Sequence, residues 1–306
     1  MVLELDAHNY RLKIDPQHGA TLWSAEWCHP NGAWVSLIEP LDDPQAGLKA
    51  GCFVMAPFAN RIDGGRFVMD GETVQLPINA PDEGMAIHGF SRNRQWECVK
   101  LQDNHAILTD TVASQDHPYN YRLEQEISIL PHGFRVALSI RNDGSKRLPF
   151  GIGLHPWFTK TPAATLEFSA MGAPKLDARG LPQGAPVPVS GFELDHSKPL
   201  SALPLINCCF SGWNSREAFI RWPEKYTALT LKAEGALKHL HVFNPQDRAV
   251  FCAEPVSHLP DAINRAELGP DAAMKILSPG ESLSGGAIFS ASALKQGTTE
   301  LFSGGN

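Results

Sequence analysis

The sequence predicts an all-β protein, a large antiparallel β-sandwich with few short helices. Apolar and polar residues alternate along most of the chain with a period of two, the pattern of strands that bury one face. The 26 glycines and 24 prolines interrupt these runs. No long window places apolar residues at i, i+3, i+4 and i+7, as an amphipathic helix does. Strands joined by turns are therefore expected throughout.

Five segments carry this alternation. LELDAHNYRLKI (3–14) alternates on both sides of DAHN, and RFVMDGETVQLPI (66–78) alternates around DG, a hairpin turn signal. RLEQEISILPHGFRVALSIRNDG (122–144) predicts two strands around PHG. ALTLKAEGALKHLHVFNP (228–245) and AVFCAEPVS (249–257) continue the pattern near the C-terminus.

The domain organisation predicted is one domain over residues 1–306, because the chain has no fixed-period repeat, no low-complexity linker and no break in composition. Residues 171–203 are rich in Pro, Gly and Ala, which predicts a long irregular excursion. The tail KQGTTELFSGGN (295–306) is expected to fray.

Composition limits the partners. Hydrophobic residues make up 43% of the chain, and the formal net charge is −7 with Lys and Arg scattered, so nucleic acid is not expected to bind. No export signal and no run approaching 18 apolar residues is found, which predicts a cytoplasmic protein without a membrane partner. The six cysteines form no CxxC pair, so reduced, mostly buried thiols and no structural metal are expected.

Three stretches combine chemistry-bearing side chains with strand-breaking residues. His88 and Arg61 lie in the first stretch, His155 precedes a proline in the second, and Glu254 precedes a proline in the third. Because proline cannot donate to a ladder, we expect His155 and Glu254 at strand ends. The stretches are APFANRIDGGRF followed by IHGFSRNRQW, then LPFGIGLHPWF, then FCAEPVSHLPDAIN.

In order and spacing these stretches resemble the aldose 1-epimerase family, also called galactose mutarotases. The most specific motifs are PFANRI, IHGF, GIGLHPWF and CAEPVS. The resemblance extends from HGATLWSAEW to LSPGESLSGGAIF, which is most of the chain. It implies a galactose mutarotase-like supersandwich.

The resemblance also implies roles for single residues. Glu254 falls where the family has its general base, and His155 where it has its general acid. His88 matches the second active-site histidine, which contacts the sugar and stabilises charge near its ring oxygen. Arg61 matches a substrate-binding arginine, and Trp157 would offer an aromatic face to the sugar.

One position departs from the family pattern. Many members carry a sugar-binding aspartate before a Cys-Phe pair, whereas this chain reads INCCFSGW and places Asn207 there. An amide still donates and accepts hydrogen bonds, so Asn207 remains a candidate substrate-binding residue.

The implied activity interconverts the α and β anomers of a free aldose such as galactose or glucose. The acid and base are expected on opposite sides of the pyranose, and no metal or cofactor is required. The expected partner is a small-molecule sugar, and whether the protein forms a homodimer is left open by the sequence.

Three alternatives remain at this stage. A non-catalytic carbohydrate-binding protein would need no acid–base pair. A hexose-6-phosphate 1-epimerase would need clustered basic residues, for which only Arg92 and Arg94 stand close together, and solvated loop charges are the favoured interpretation of both. A metal site could use His239 and His241 on one strand face, with Glu254 as a distant third ligand.

Overall fold

The structure, a computed structural model, describes residues 1–43, 49–189 and 198–295. Within these ranges every helix is a three-residue 3₁₀ turn, and none is long and apolar enough to cross a membrane. These turns are Ser91–Asn93, Leu200–Ala202, Pro223–Lys225, Ala262–Asn264, Ala266–Leu268 and Pro270–Ala272. The strands in chain order are β1 (Leu3–Ala7), β2 (Tyr10–Asp15), β3 (Thr21–Cys28), β4 (Trp34–Ser36), β5 (Cys52–Met55), β6 (Arg61–Asp63), β7 (Arg66–Met69), β8 (Glu72–Gln75), β9 (Met85–Ile87), β10 (Glu97–Gln102), β11 (His105–Ala113), β12 (Asn120–Leu130), β13 (Gly133–Asn142), β14 (Leu148–Phe150), β15 (Gly153–Thr159), β16 (Thr165–Leu176), β17 (Pro182–Pro188), β18 (Ile206–Trp222), β19 (Thr227–Gly235), β20 (His239–Asn244), β21 (Val250–Val256), β22 (Lys275–Leu277) and β23 (Ser282–Ala293).

Two antiparallel sheets share the long strand β18. The first sheet runs β1-β2-β3-β5-β15-β21-β20-β18, with β4 also paired to β3. The second runs β10-β11-β12-β13-β23-β19-β18-β16-β17. The first half of β18 pairs with β20 and the second half with β19, so one strand passes from sheet to sheet. The predicted antiparallel β-sandwich is confirmed.

The main core lies between the two sheets. Leu154 and Phe158 of β15 pack in one cluster with Leu123 of β12 and Val136 of β13. Burial alternates residue by residue along β12 and β13, as the period-two pattern predicts. The inner face of the first sheet is therefore used for packing. Its other face is left for the side chains of the site.

The Pro-rich stretch is more regular than expected. We predicted an irregular excursion over 171–203, but β16 continues to Leu176 and pairs with β17. This prediction is wrong because β17 is an edge strand, paired with β16 alone among the described strands, where prolines leave no ladder donor missing. Residues 190–197 of the stretch and 296–306 of the tail lie outside the described residues.

The two prolines after His155 and Glu254 do not end their strands. β15 pairs with β21 at Gly153 and Val256, and pairing resumes at residues 157 and 252, so residue 155 lies opposite residue 254. The ladder is interrupted only between these points, where Pro156 and Pro255 lack N–H groups. The expectation of strand ends is therefore wrong, since β15 remains paired with β5 across this gap.

Candidate active site

One row of paired residues crosses the outer face of the first sheet. His155 pairs with Phe53 of β5, and Glu254 pairs with His241 of β20. Directly opposed residues in antiparallel strands project to the same face, so these four side chains stand side by side. They form the floor of a cavity of about 500 Å³.

His155 and Glu254 are in direct contact at the centre of this row. His155 Nε2 lies 3.3 Å from Glu254 Oε1, and the two side chains are 7% and 2% exposed. The expected placement on opposite sides of a pyranose is wrong, because no ring fits between atoms this close. Among the described residues, His155 Nδ1 and Glu254 Oε2 are buried without a protein hydrogen-bond partner.

Burial controls the protonation of this pair. It raises the pKa of Glu254 well above its usual value, with Arg61 acting weakly in the opposite direction. Burial also lowers the pKa of His155 well below its usual value, assisted by the charges of His241 and Arg92. Both pKa shifts point toward the neutral forms of the two side chains, because burial disfavours each charged form.

Two aromatic rings hold the His155 imidazole. Phe53 stacks on one side with ring centroids 4.4 Å apart, and Trp157 stacks at 5.2 Å. Phe53 and Trp157 cover the faces of the His155 ring, so only its edge, which carries the two nitrogens, can make hydrogen bonds. Trp157 itself is buried, with its indole N–H unpartnered among the described residues.

His88 is positioned by its backbone. It follows β9 in a left-handed conformation (φ 60°), and its Nδ1 accepts the backbone N–H of Asn60 at 3.2 Å. The proton of the neutral ring therefore sits on Nε2. Gly89 comes next, where a Cβ would lie 1.9 Å from the Ala56 carbonyl oxygen. The His-Gly pair brings the imidazole edge-on to His155, at 5.1 Å between ring centroids.

Arg61 begins β6 and lines the same cavity. Its Nε donates to Glu83 Oε2 at 2.7 Å, and one Nη donates to Asn60 Oδ1 at 3.3 Å. These bonds fix the guanidinium while leaving other N–H groups available, because arginine carries five donors.

Asn207 contacts His241 across the sheet. His241 Nε2 donates to Asn207 Oδ1 at 3.0 Å, and Asn60 Nδ2 lies 3.5 Å from His241 Nδ1. Burial and the charge of Arg61 lower the pKa of His241 to about 3. A neutral imidazole thus bridges two amides, and the Asn207 amide N–H₂ is left to bind a ligand.

The two arginines after His88 have different environments. Arg94 donates to Asp110 Oδ1 at 2.9 Å and lies away from the cavity. Arg92 lines the cavity, and burial lowers its pKa. The interpretation of both as solvated loop charges is therefore wrong for Arg92.

The three metal ligands considered from the sequence, His239, His241 and Glu254, do not come together in the structure. His239 pairs with Val256, and its Nε2 contacts the Asp271 carbonyl oxygen at 2.9 Å. Among the described residues, the donors that come within 4.8 Å of one another belong instead to His155, Cys252 and Glu254. Cysteine, histidine and glutamate are all zinc ligands, so these three residues are the metal candidates that the structure brings together, although burial raises the pKa of the Cys252 thiol and disfavours the thiolate that binds zinc.

Comparison with known proteins shows the family of this chain. The family model described as aldose 1-epimerase matches residues 1–290. The chain belongs to the aldose 1-epimerase family. It is 32% identical over 263 residues to the uncharacterized Escherichia coli (strain K12) protein YphB, covering 82% of this chain and 88% of that protein.

More distant proteins also align with this chain. A maltose epimerase from Levilactobacillus brevis is 25% identical over 253 residues, covering 71% of this chain and 74% of the relative. A galactose mutarotase-like protein from Clostridium acetobutylicum superposes with a TM-score of 0.83 at 22% identity, covering 95% of each chain. The latter match shows the shared fold.

In this aldose 1-epimerase family member, one cavity gathers all six residues singled out from the sequence: Arg61, His88, His155, Trp157, Asn207 and Glu254. Sequence reasoning missed the role of Asn60, whose backbone and side chain contact three other site residues. It also assigned His241 only as a metal candidate. The PFANRI motif contained the signal for Asn60, since it adjoins Arg61.

Proposed function

We propose that the protein is an aldose 1-epimerase, or mutarotase, that interconverts the α and β anomers of a free aldose such as galactose or glucose. The single observation that carries this proposal is the buried contact of 3.3 Å between His155 Nε2 and Glu254 Oε1 on the cavity floor. The reaction is general acid–base ring opening and closure, and it requires no cofactor.

Ring opening needs two proton transfers at neighbouring oxygens. Glu254 as the carboxylate takes the proton of the anomeric hydroxyl O1, and His155 as the imidazolium donates a proton to the ring oxygen O5. The C1–O5 bond breaks and the C1–O1 bond becomes a carbonyl. Because O1 and O5 are both bonded to C1, an acid and a base standing side by side reach them together.

The open-chain state matches the protonation that burial favours. After opening, Glu254 is a neutral acid and His155 a neutral imidazole, the forms toward which their pKa shifts point. Rotation about C1–C2 then presents the other carbonyl face. Closure returns the proton of O5 to His155 and gives O1 the proton of Glu254, so the pair ends with the same proton count.

The remaining side chains bind the sugar and stabilise charge. His88 Nε2–H is a donor beside His155, which suits the ring oxygen during opening. Arg61 and Asn207 lie nearer to His241, where they donate to ring hydroxyls. Trp157 supplies an apolar surface beside the acid.

The experiment follows anomer exchange of glucose, galactose, xylose and arabinose. Exchange is measured by NMR at equilibrium and by polarimetry on freshly dissolved α-anomers. The wild type should exceed the uncatalysed rate, and Glu254→Gln should lose about 10² or more in kcat because an amide cannot accept the proton. Sugar binding without exchange in the wild type would instead identify a carbohydrate-binding protein. Near-normal kcat in a folded Glu254→Gln variant would remove Glu254 from the mechanism.

Metal-dependent catalysis is the second candidate, because the His155, Cys252 and Glu254 donors lie within 4.8 Å of one another. Elemental analysis and assay after dialysis against a chelator distinguish it. We expect exchange to persist in the chelated protein, and loss of activity that zinc restores would favour the metal mechanism.

A further inference from the structure

Arg92 is a half-buried cation without a counter-ion. Its Nε is buried with no hydrogen-bond partner, and no carboxylate in the part of the chain described here forms an ion pair with it. Removing a guanidinium from water without compensation is unfavourable. Because Arg92 lines the proposed sugar pocket, a bound anion would supply the missing partner.

The backbone holds Arg92 in place. Gly19 approaches so closely that a Cβ there would lie 2.2 Å from the Arg92 carbonyl oxygen. The preceding Ser91 donates from Oγ to Asp110 at 2.7 Å, and Trp96 Nε1 donates to the Ser91 carbonyl at 3.0 Å. The 3₁₀ turn that carries Arg92 is therefore anchored on both sides, and the guanidinium is a built feature of the pocket wall.

In the binding mode proposed above, Arg92 lies at one end of the sugar. Its guanidinium carbon lies 5.6 Å from the centroid of Phe53, which stacks on His155. The order along the pocket is thus Glu254, His155, Phe53, Arg92. With O1 at Glu254 and O5 at His155, the next ring atom is C5, which carries C6. The substituent on C6 is therefore directed toward Arg92.

Other charges in the pocket favour the same ligand. Lys49 and Arg248 are exposed and line the cavity. Of the two glutamates that line it, Glu83 is paired with Arg61 and Glu254 contacts His155, so neither is an unpaired negative charge facing the ligand. A cavity with this balance attracts anions from solution.

We propose that the substrate is an aldose with an anionic group on C6, either a carboxylate or a phosphate ester, and that Arg92 binds this group. The inference rests on the mutarotase activity proposed above. A guanidinium offers paired donors that match both groups, and such charge-assisted bonds are stronger than those to a neutral hydroxyl.

The test compares kcat/KM for glucose, glucuronate and glucose 6-phosphate by NMR anomer exchange, with the uncatalysed rates subtracted. We expect at least one anionic sugar to exceed glucose by about tenfold or more, since a charged hydrogen bond replaces a neutral one. Arg92→Gln should remove most of this preference and Arg92→Lys should keep part of it. Arg122→Gln, an exposed arginine of β12 outside the cavity, should keep all of it.

Each outcome separates the two proposals. Turnover of glucose at least equal to that of both anionic sugars would overturn the anionic substrate and leave the mutarotase proposal standing. An anion preference that Arg92→Gln does not reduce would overturn the role of Arg92. Exchange with none of the sugars would overturn the proposed function itself. Should Arg92→Gln fail to fold, the wild-type preference must decline as ionic strength rises, and a preference insensitive to salt would contradict ionic recognition.

Discussion

Asn207→Asp introduces the carboxylate that the family resemblance implies at this position. Asn207 Oδ1 accepts a hydrogen bond from His241 Nε2 at 3.0 Å, and a carboxylate of the same shape keeps that bond. Its second oxygen then accepts from a sugar hydroxyl. A hydrogen bond to a charged group contributes about 1.5–3 kcal/mol against about 0.5–1.5 for a neutral one. The difference, about 1–1.5 kcal/mol, corresponds to a KM lower by up to about tenfold for at least one neutral hexose.

Arg61 is the nearby charge that favours a carboxylate at position 207. Arg61 already acts electrostatically on His241, so a positive group lies close enough to offset a carboxylate at position 207. The assay measures KM by NMR exchange across glucose, galactose, xylose and arabinose, together with the melting temperature. Asn214→Asp is the matched control, because it adds the same charge at an exposed position of β18 outside the pocket. If KM and melting temperature are both unchanged by Asn207→Asp, Asn207 does not contact the sugar and the reasoning is refuted.

Further substitutions test the other site residues. His155→Asn should reduce kcat by about 10² or more, because O5 loses its proton donor; wild-type kcat would exclude this role. His88→Asn should both lower kcat and raise KM in the exchange assay, and a variant with normal constants would make His88 structural. Gly89→Ala should lower the free energy of unfolding, measured in urea, by about 1–3 kcal/mol, because a Cβ there meets a carbonyl at a positive φ. Gly71→Ala, at positive φ with open space around it, should cost less, and equal losses would mean that the close approach is unimportant. Glu254→Gln should become more stable relative to the wild type as pH rises above about 4.3, because the unfolded carboxyl then ionises while burial raises the pKa of the folded one. A stability difference independent of pH would show that the pKa of Glu254 is not raised.

The strands were predictable because their signal is local. Alternation along β12 and β13 is visible within ten residues, and burial in the structure follows it. The expectation that a strand ends before a proline was wrong at His155, because it takes account of one hydrogen-bonded neighbour only. β15 remains bonded to β5 where its pairing with β21 is interrupted. A rule based on one segment of sequence cannot show that the strand has a second neighbouring strand.

The unrecognised site residues depend on contacts between distant segments. Asn60 meets His241 across 181 positions of sequence, and no local pattern shows which strand faces converge. In the sequence Arg92 looks like any loop arginine. What distinguishes it from Arg94 is its position in the cavity wall, which residues far along the chain create. The family motifs located residues already associated with chemistry, but they carried no information on the environment of neighbouring charges.

The segment between β5 and β10 has a consequence for how such an enzyme diversifies. His155 and Glu254 belong to the sheet, where ladder hydrogen bonds fix their separation, whereas Arg61, His88 and Arg92 all come from residues 56–96. If the proposed roles hold, bond-making chemistry and much of ligand selection reside in different parts of the chain. Exchange of residues 56–96 between relatives should transfer sugar preference as a unit, and insertions there can reshape the pocket mouth without moving the acid–base pair.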